Sequence, residues 1–399
     1  MSYLQCSDAY RKFLGQCTQC GHCTNACQSL IAADMTLGEI ARAMLAADRG
    51  ARSADEVRMN IAQNPRLVQA VRGCFFCTSC KNTCFAHNDV CDLVYHARID
   101  FQQLGLIERE AWSSVLVDQE WDIFTAYRAI HGIGYPDFTV HVENEYHKAE
   151  TDCDVAFFPG CSLAAYAPEL TREIFTEIQG MCDKPTMIDR CCGSSLKSAG
   201  FFDRAEKLCE RNVDEIVQSG AQKLVCVCPG CANDMAAALK RKGVDVQVQS
   251  LVSFLADHGF KPKHPLPEGE ICLSKSCQDR DGTYLDETCS ILGLGDATTK
   301  IFHGCCGAGG AVSAFQPDRQ AAQADDKMSF APEGSTIVTM CPTCTYTYAF
   351  RLMSAPRNVE NKHYAELLFN SQIDWDVTFA QLSGMWYGEY GAWLAEVFA

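Results

Sequence analysis

The sequence contains no run of 18 apolar residues, so no segment is expected to cross a bilayer as a helix. Its first residues, Met1 to Asp8, lack a basic stretch followed by an apolar one, so a leader is not expected and a cytoplasmic protein is inferred. Basic residues are few: 34 Lys and Arg stand against 50 Asp and Glu, a formal net charge of −16. That balance disfavours nucleic acid and acidic partners, and suits a basic docking face on a partner protein. A Gly-rich G-x-G-x-x-G turn after a strand is also missing, so neither flavin nor NAD is expected in this chain. The one Gly-rich stretch, Gly307-Ala308-Gly309-Gly310, follows a cysteine pair instead.

Cysteine is abundant. There are 26 in 399 residues, and 18 of them fall into four spaced clusters. A chain this long, 47% hydrophobic, can build two or three cored domains and does not resemble a short disulfide scaffold. Thiolates in C-x2-C groups point to soft-metal chemistry, either iron–sulfur or zinc.

The first two clusters are Cys17-x2-Cys20-x2-Cys23-x3-Cys27 and Cys74-x2-Cys77-x2-Cys80-x3-Cys84. Three evenly spaced cysteines wrap one cubane, and in two-cluster proteins the fourth belongs to the other cluster. One [4Fe–4S] cubane is therefore assigned to Cys17, Cys20, Cys23 and Cys84, the other to Cys74, Cys77, Cys80 and Cys27. Zinc sites would show paired C-x2-C groups without the third cysteine. The Pro that usually follows the fourth Cys is replaced by Gln28 and Phe85. Helical periodicity over Leu37–Leu45 and a helix start at Pro65 predict a mostly helical module for residues 1–100.

Residues 101–150 read as a linker with a helix from Glu108 to His131, followed by the turn-rich Gly132–Pro136. Beyond it lies a duplication. Cys161, the pair Cys191-Cys192 and Cys228-x2-Cys231 recur as Cys277, Cys305-Cys306 and Cys341-x2-Cys344, at offsets of 116, 114 and 113. Each copy, 151–270 and 271–369, opens with a short strand (Val155–Phe158, Ile271–Leu273). A helix such as Pro168–Ile178 follows, and then a strand just before the C-x2-C (Leu224–Val227, Ile337–Met340). That alternation predicts α/β domains on parallel sheets, with the cysteines at strand ends. Gly193 and Gly307 after the vicinal pairs allow close backbone approach. Residues 370–399 form an aromatic tail (Trp375, Phe379, Trp386, Tyr387, Tyr390, Trp393, Phe398) that packs on its own domain or forms a docking surface.

These motifs resemble those of heterodisulfide reductases. The two copies look like the duplicated CCG domains of that family's B subunit, and the first hundred residues look like its ferredoxin-like C subunit. Fused in this order they are similar to the D subunit of the membrane-linked enzymes. The resemblance spans residues 15–345. It implies an α+β / α/β architecture: a helical two-cluster ferredoxin module, then two CCG domains related by pseudo-twofold symmetry. It implies a noncubane [4Fe–4S] cluster on Cys161, Cys191, Cys192, Cys228 and Cys231, and a second on Cys277, Cys305, Cys306, Cys341 and Cys344. A small-molecule disulfide is expected between the two. Electrons are expected from a flavoprotein like the family's A subunit, a hydrogenase, a formate dehydrogenase or another redox protein. A partner is the means of any membrane association.

Departures bear on the substrate. The family often carries a His near the first Cys of a copy. Here Lys275, near Cys277, is a candidate for an anionic substrate group or an ordinary exposed lysine. His303, two residues before Cys305, is a candidate proton donor or a core histidine. His22 and His87 flank cubane ligands and suit ordinary loop roles or hydrogen bonds to sulfur. The remaining cysteines, Cys6, Cys91, Cys153, Cys182, Cys209, Cys226, Cys272 and Cys289, are expected to carry no cluster. The rival reading is a non-catalytic protein that carries electrons between a flavoprotein and a quinone or other acceptor.

Overall fold

The computed structural model describes residues 2–86, 88, 90–107, 115–116, 121–122, 124, 127, 151–295 and 299–387. The chain divides into two compact units. The first joins Met1–Ser114 with two later segments, Ser195–Asp203 and Gly307–Ala322; the second holds the rest.

Among the described residues up to 107 the first unit is helical throughout. The helices are α1 Ser7–Gln16, α2 His22–Asn25, α3 Gln28–Ala33, α4 Leu37–Asp48, α5 Ala54–Ala62, α6 Pro65–Arg72, α7 Ser79–Asn82 and α8 Val90–Gln103. Their starts are encoded locally. Thr36 and Glu39 form a capping box on α4, Ser53 accepts the Glu56 N–H ahead of α5, and Asn64 with Pro65 opens α6. Ile40, Met44, Val57, Ile61, Val71 and Phe101 close the core.

One side chain knits this unit together. Arg98 of α8 is fully buried and donates all five of its N–H groups to main-chain carbonyls. Nε reaches Val71 O (3.1 Å), Nη1 reaches Ser198 O (2.6 Å) and Gly310 O, and Nη2 reaches Arg72 O and Cys74 O (3.0 Å each). Its face stacks over Phe76, 4.8 Å from the ring centroid. Burial draws Arg98 down to about 10, with nearby Cys74 opposing the shift, so it remains charged at neutral pH. Gly309 and Gly310 pack directly on the backbone of Phe75 and Cys74, where a Cβ would collide with the carbonyl oxygens. The glycines after the second cysteine pair are therefore packing glycines.

The second unit contains two four-stranded, all-parallel sheets and a two-residue pairing of β1 (Val115–Leu116) with β2 (Trp121–Asp122). The first sheet holds β3 Val155–Phe158, β4 Pro185–Met187, β5 Lys223–Cys226 and β6 Gln247–Ser250 in the order β4-β3-β5-β6. The second holds β7 Ile271–Ser274, β8 Thr299–Phe302, β9 Thr336–Thr339 and β10 Glu360–His363 in the order β10-β9-β7-β8. Within each copy the order is second-first-third-fourth, so the α/β duplication expected from the sequence is present in the topology. Strands β3, β7 and β9 are buried along their whole length, as expected for parallel strands covered on both faces. Residues of both sheets share one core, among them Phe157, Val225, Phe254, Leu273, Val338 and Tyr364.

Most of the expected linker lies outside the described residues; where a helix from Glu108 to His131 was expected, β1 and β2 pair as antiparallel strands, which a continuous helix does not allow, while Phe124 and Tyr127 are buried and Phe124 meets Tyr166 and Tyr346 edge-on. The described part of the aromatic tail packs on its own unit. In the helix Trp375–Tyr387, Trp375 and Phe379 lie against Tyr346. Tyr390, Trp393, Phe398 and the side chains of Trp386 and Tyr387 lie outside the described residues.

Two outcomes follow. Gly310→Ala adds a collision to a positive φ, whereas Gly50→Ala adds only the positive φ, since nothing lies within 4 Å of its Cβ position. We expect Gly310→Ala to cost at least ~2 kcal/mol of stability in denaturant unfolding and Gly50→Ala no more than ~1 kcal/mol. Glu366 is buried in the second unit and accepts the N–H groups of His363 and Ile373. Burial pushes it up to about 7. Its contribution to stability is fully present below the ordinary glutamate range and is lost as pH rises through about 7. The loss is at most about 3 kcal/mol. Between pH 5 and pH 8 the unfolding free energy of Glu366→Gln should fall less than that of wild type; equal falls would remove Glu366 as the cause.

Candidate iron–sulfur sites

The sheets explain why cysteines far apart in sequence gather. In each copy they follow the C-terminal ends of three adjacent parallel strands. Cys161 follows β3, Cys191-Cys192 follow β4 and Cys228 follows β5; Cys277, Cys305-Cys306 and Cys341 follow β7, β8 and β9. Parallel strands end on one edge, so all five thiols of a copy arrive on the same edge of its sheet. Cys228 and Cys341 also occupy the N-cap positions of the helices Pro229–Lys242 and Pro342–Ser354. The positive end of each helix favours a thiolate there.

None of the 26 cysteines forms a disulfide. In the first copy Cys192 is pushed down by hydrogen bonds from Cys191 and Cys231, and Cys231 is pushed up by Cys192 and Cys228. In the second, Cys306 Sγ and Cys344 Sγ are 3.0 Å apart, and Cys341 is pushed down by hydrogen bonds from Cys228 and Cys344. The two copies meet at their C-x2-C groups, where Cys228 Sγ and Cys341 Sγ are 3.8 Å apart. Buried tyrosines bind across that meeting. Tyr166 donates to Pro342 O (2.5 Å), Tyr284 to Cys226 O (3.0 Å) and Tyr364 to Val227 O (3.0 Å). Sequence reasoning passed over these three residues, since a single Tyr in a helix carries no motif.

Lys275 and His303 are less enclosed. The Lys275 amine lies beside Gly282, with Asp279 and Asp281 as acidic neighbours. His303 is exposed. A cavity of about 770 Å³ is lined by His264, Thr336, Arg357, Glu360 and Lys362. Thr336 and Glu360 begin β9 and β10, so this cavity lies at the sheet edge opposite the cysteines and contains none of them.

In the first unit a small cavity is lined by Cys17, Cys20, Cys23 and Cys84 together with Phe13, Thr36 and Val90. These are the three evenly spaced cysteines of one run and the fourth of the other. Cys27 of the first run has cysteines of the second among its neighbours: Cys77, Cys74 and Cys80. Four thiols with no carboxylate among them are a soft donor set that fits an iron–sulfur group. Cys20 is drawn down to about 7 by the backbone N–H of His22, and the His22 ring packs edge-on against the exposed Phe85. His87 lies outside the described residues. Cys91 is more involved than its isolated position in the sequence suggests, because it hydrogen-bonds with Cys80. Cys209, Cys226 and Cys272 are buried packing residues on the helix Phe202–Ser219, on β5 and on β7.

Comparison with known proteins agrees with this geometry. Residues 155–236 and 275–348 each match the CCG cysteine-rich domain. The D subunit of the dihydromethanophenazine:CoB–CoM heterodisulfide reductase of Methanosarcina acetivorans is 22% identical, over 83% of this chain and 87% of that protein. The D subunit of the same enzyme from Methanosarcina barkeri is 25% identical over 49% of this chain and 54% of its own length. The B subunit of the fumarate reductase (CoM/CoB) of Methanothermobacter marburgensis is 25% identical over 48% and 40%. In several of these matches the chain spans about half the relative's length. No helix among the described residues is long and apolar enough to cross a membrane. The chain thus carries two copies of the CCG cysteine-rich domain and resembles the D subunit of the heterodisulfide reductases.

Proposed function

We propose that this chain is an iron–sulfur electron-transfer subunit whose two CCG copies together form a disulfide-reducing site. The observation that carries the reading is the 3.8 Å approach of Cys228 Sγ to Cys341 Sγ, which brings the two five-cysteine edges together. Matching strand orders and the tyrosine bonds across the meeting support a pseudo-twofold relation between the copies. Cys161, Cys191, Cys192, Cys228 and Cys231 hold one noncubane cluster, and Cys277, Cys305, Cys306, Cys341 and Cys344 hold the other. Two cubanes are held by Cys17, Cys20, Cys23 and Cys84, and by Cys74, Cys77, Cys80 and Cys27. When bound, these groups supply one-electron steps.

Opening an S–S bond to two thiols takes two electrons and two protons. A flavoprotein, hydrogenase or formate dehydrogenase partner supplies the electrons. His303, exposed and two residues before Cys305, would deliver a proton from solvent. Lys275, with Asp279 and Asp281 beside it, is a weaker anion-binding candidate than its sequence position suggested. The helix N-termini at Cys228 and Cys341 stabilise negative charge on sulfur as electrons arrive. The substrate class is a small-molecule disulfide, in keeping with the names of the heterodisulfide reductase relatives.

Intact anaerobic protein should carry about sixteen irons per chain, four for each of four clusters. Near eight irons, with the CCG cysteines unoccupied, the reductase reading fails. Cys191→Ala or Cys306→Ala should abolish disulfide reduction while the EPR signals of the reduced cubanes persist. If both variants still pass electrons from a flavoprotein to a quinone, the conduit role replaces the catalytic one. Cys27→Ala and Cys84→Ala should each disturb the site of the opposite run. Cys27→Ala should alter only the signal lost in Cys77→Ala, and Cys84→Ala only the signal lost in Cys20→Ala. The converse pairing would overturn the exchange of fourth ligands.

A further inference from the structure

We infer that Lys327 is a tuning residue that raises the reduction potential of the second CCG site, a device the first site lacks. The inference rests on the reading that both sites hold clusters. Lys327 lies in the helix Pro317–Met328 and is 2% exposed. Its ammonium donates to Lys275 O at 3.0 Å and to Gly304 O, the carbonyl just before Cys305. It lies 5.8 Å from the centroid of the Phe302 ring. Among the described residues no acidic side chain pairs with it. On the same helix face Gln323 donates to Cys305 O at 3.1 Å.

The first copy has the same scaffold with different charge. Asn212, on the helix Phe202–Ser219, donates to Cys191 O at 2.9 Å, as Gln323 does to Cys305 O. Three residues after Asn212 on that helix stands Glu215; in the second copy Lys327 stands four residues after Gln323. Glu215 pairs with Arg190, the residue just before Cys191, at 2.6 Å. The first copy therefore sets an opposed pair beside its vicinal cysteines, with Asp189 preceding it. The second sets a buried cation there. Other charges near the second copy's cysteines are Lys275, two residues before Cys277, and its acidic neighbours Asp279 and Asp281 after it, which offset one another in part.

A fixed positive charge in a poorly screened interior favours whichever state has gained an electron. Net charge close to an iron–sulfur site is one of the levers that set its potential. Lys327 thus makes the second site the first of the pair to be reduced, and the two sites unequal despite their shared fold.

The test is an anaerobic EPR-monitored redox titration of the full-length protein. Cys306→Ala and Cys191→Ala identify which transition belongs to which site. Lys327→Gln keeps a donor for the two carbonyls and removes the charge; Lys327→Arg keeps the charge. In Lys327→Gln we expect the transition lost in Cys306→Ala to fall by roughly a tenfold change in its one-electron equilibrium, about 59 mV. The transition lost in Cys191→Ala should stay in place, and Lys327→Arg should restore the wild-type value. An unchanged potential in Lys327→Gln at full iron content overturns the inference. So does loss of the second site's iron in Lys327→Gln, which makes Lys327 a structural residue only. Wild-type protein without iron at the CCG cysteines overturns the function proposed above instead, and is read directly from the metal content.

Discussion

The first unit depends on a buried guanidinium that has no carboxylate partner among the described residues. Arg98 spends its five N–H groups on five carbonyls from three stretches of chain: Val71, Arg72 and Cys74; Ser198; and Gly310. An unpaired charge in a dry interior is prohibitive, and an unpaired buried carbonyl costs ~1–3 kcal/mol, so each side needs the other. Removing Arg98 leaves five acceptors without a donor. The network also fixes the carbonyl of Cys74, a proposed cluster ligand, and the approach of Gly309 and Gly310 to the same backbone. Packing, charge and the cysteine loop are therefore set by one residue in the middle of α8.

In the second unit the governing constraint is strand direction. A parallel sheet places every strand's C-terminal end on one edge, so loops that follow β3, β4 and β5 deliver their thiols to one place. The chain repeats the arrangement in β7, β8 and β9. Duplication gives two such edges, and the shared core of Phe157, Leu273, Val338 and Tyr364 holds them in one body. The tyrosines that bind carbonyls across the junction satisfy main-chain groups next to Cys228 and Cys341, where the copies meet. These bonds leave the carbonyls beside the meeting C-x2-C groups with fixed partners.

The cysteine pattern made much of this legible from residue spacing alone. Offsets near 114 marked the duplication, and strands were expected where β3, β5, β7 and β9 occur. The expected strands Leu224–Val227 and Ile337–Met340 lie one residue late relative to Lys223–Cys226 and Thr336–Thr339. Hydrophobicity marks burial, and Val227 and Met340 are buried beyond the ladder. Arg98 was invisible because a guanidinium bound to carbonyls has partners of no particular residue type. Lys327 reads as one more charge on a polar helix, Pro317–Met328, and only the fold turns it inward. Cys91 looked solitary because its neighbour Cys80 is eleven residues away in sequence and is reached across the α7–α8 turn.

Placement of Ser195–Asp203 and Gly307–Ala322 in the first unit has a bearing on biosynthesis. Chains emerge from the ribosome N-terminus first, and early domains commonly fold while later ones are still being made. Here Arg98 is translated long before Ser198 and Gly310, its last two acceptors. The opening hundred residues thus supply three of the five acceptors, and the last is not made until more than three quarters of the protein has been synthesised. The first unit therefore closes its Arg98 network only after residue 310 has been made, and completes its fold late in synthesis although it comes first in the chain.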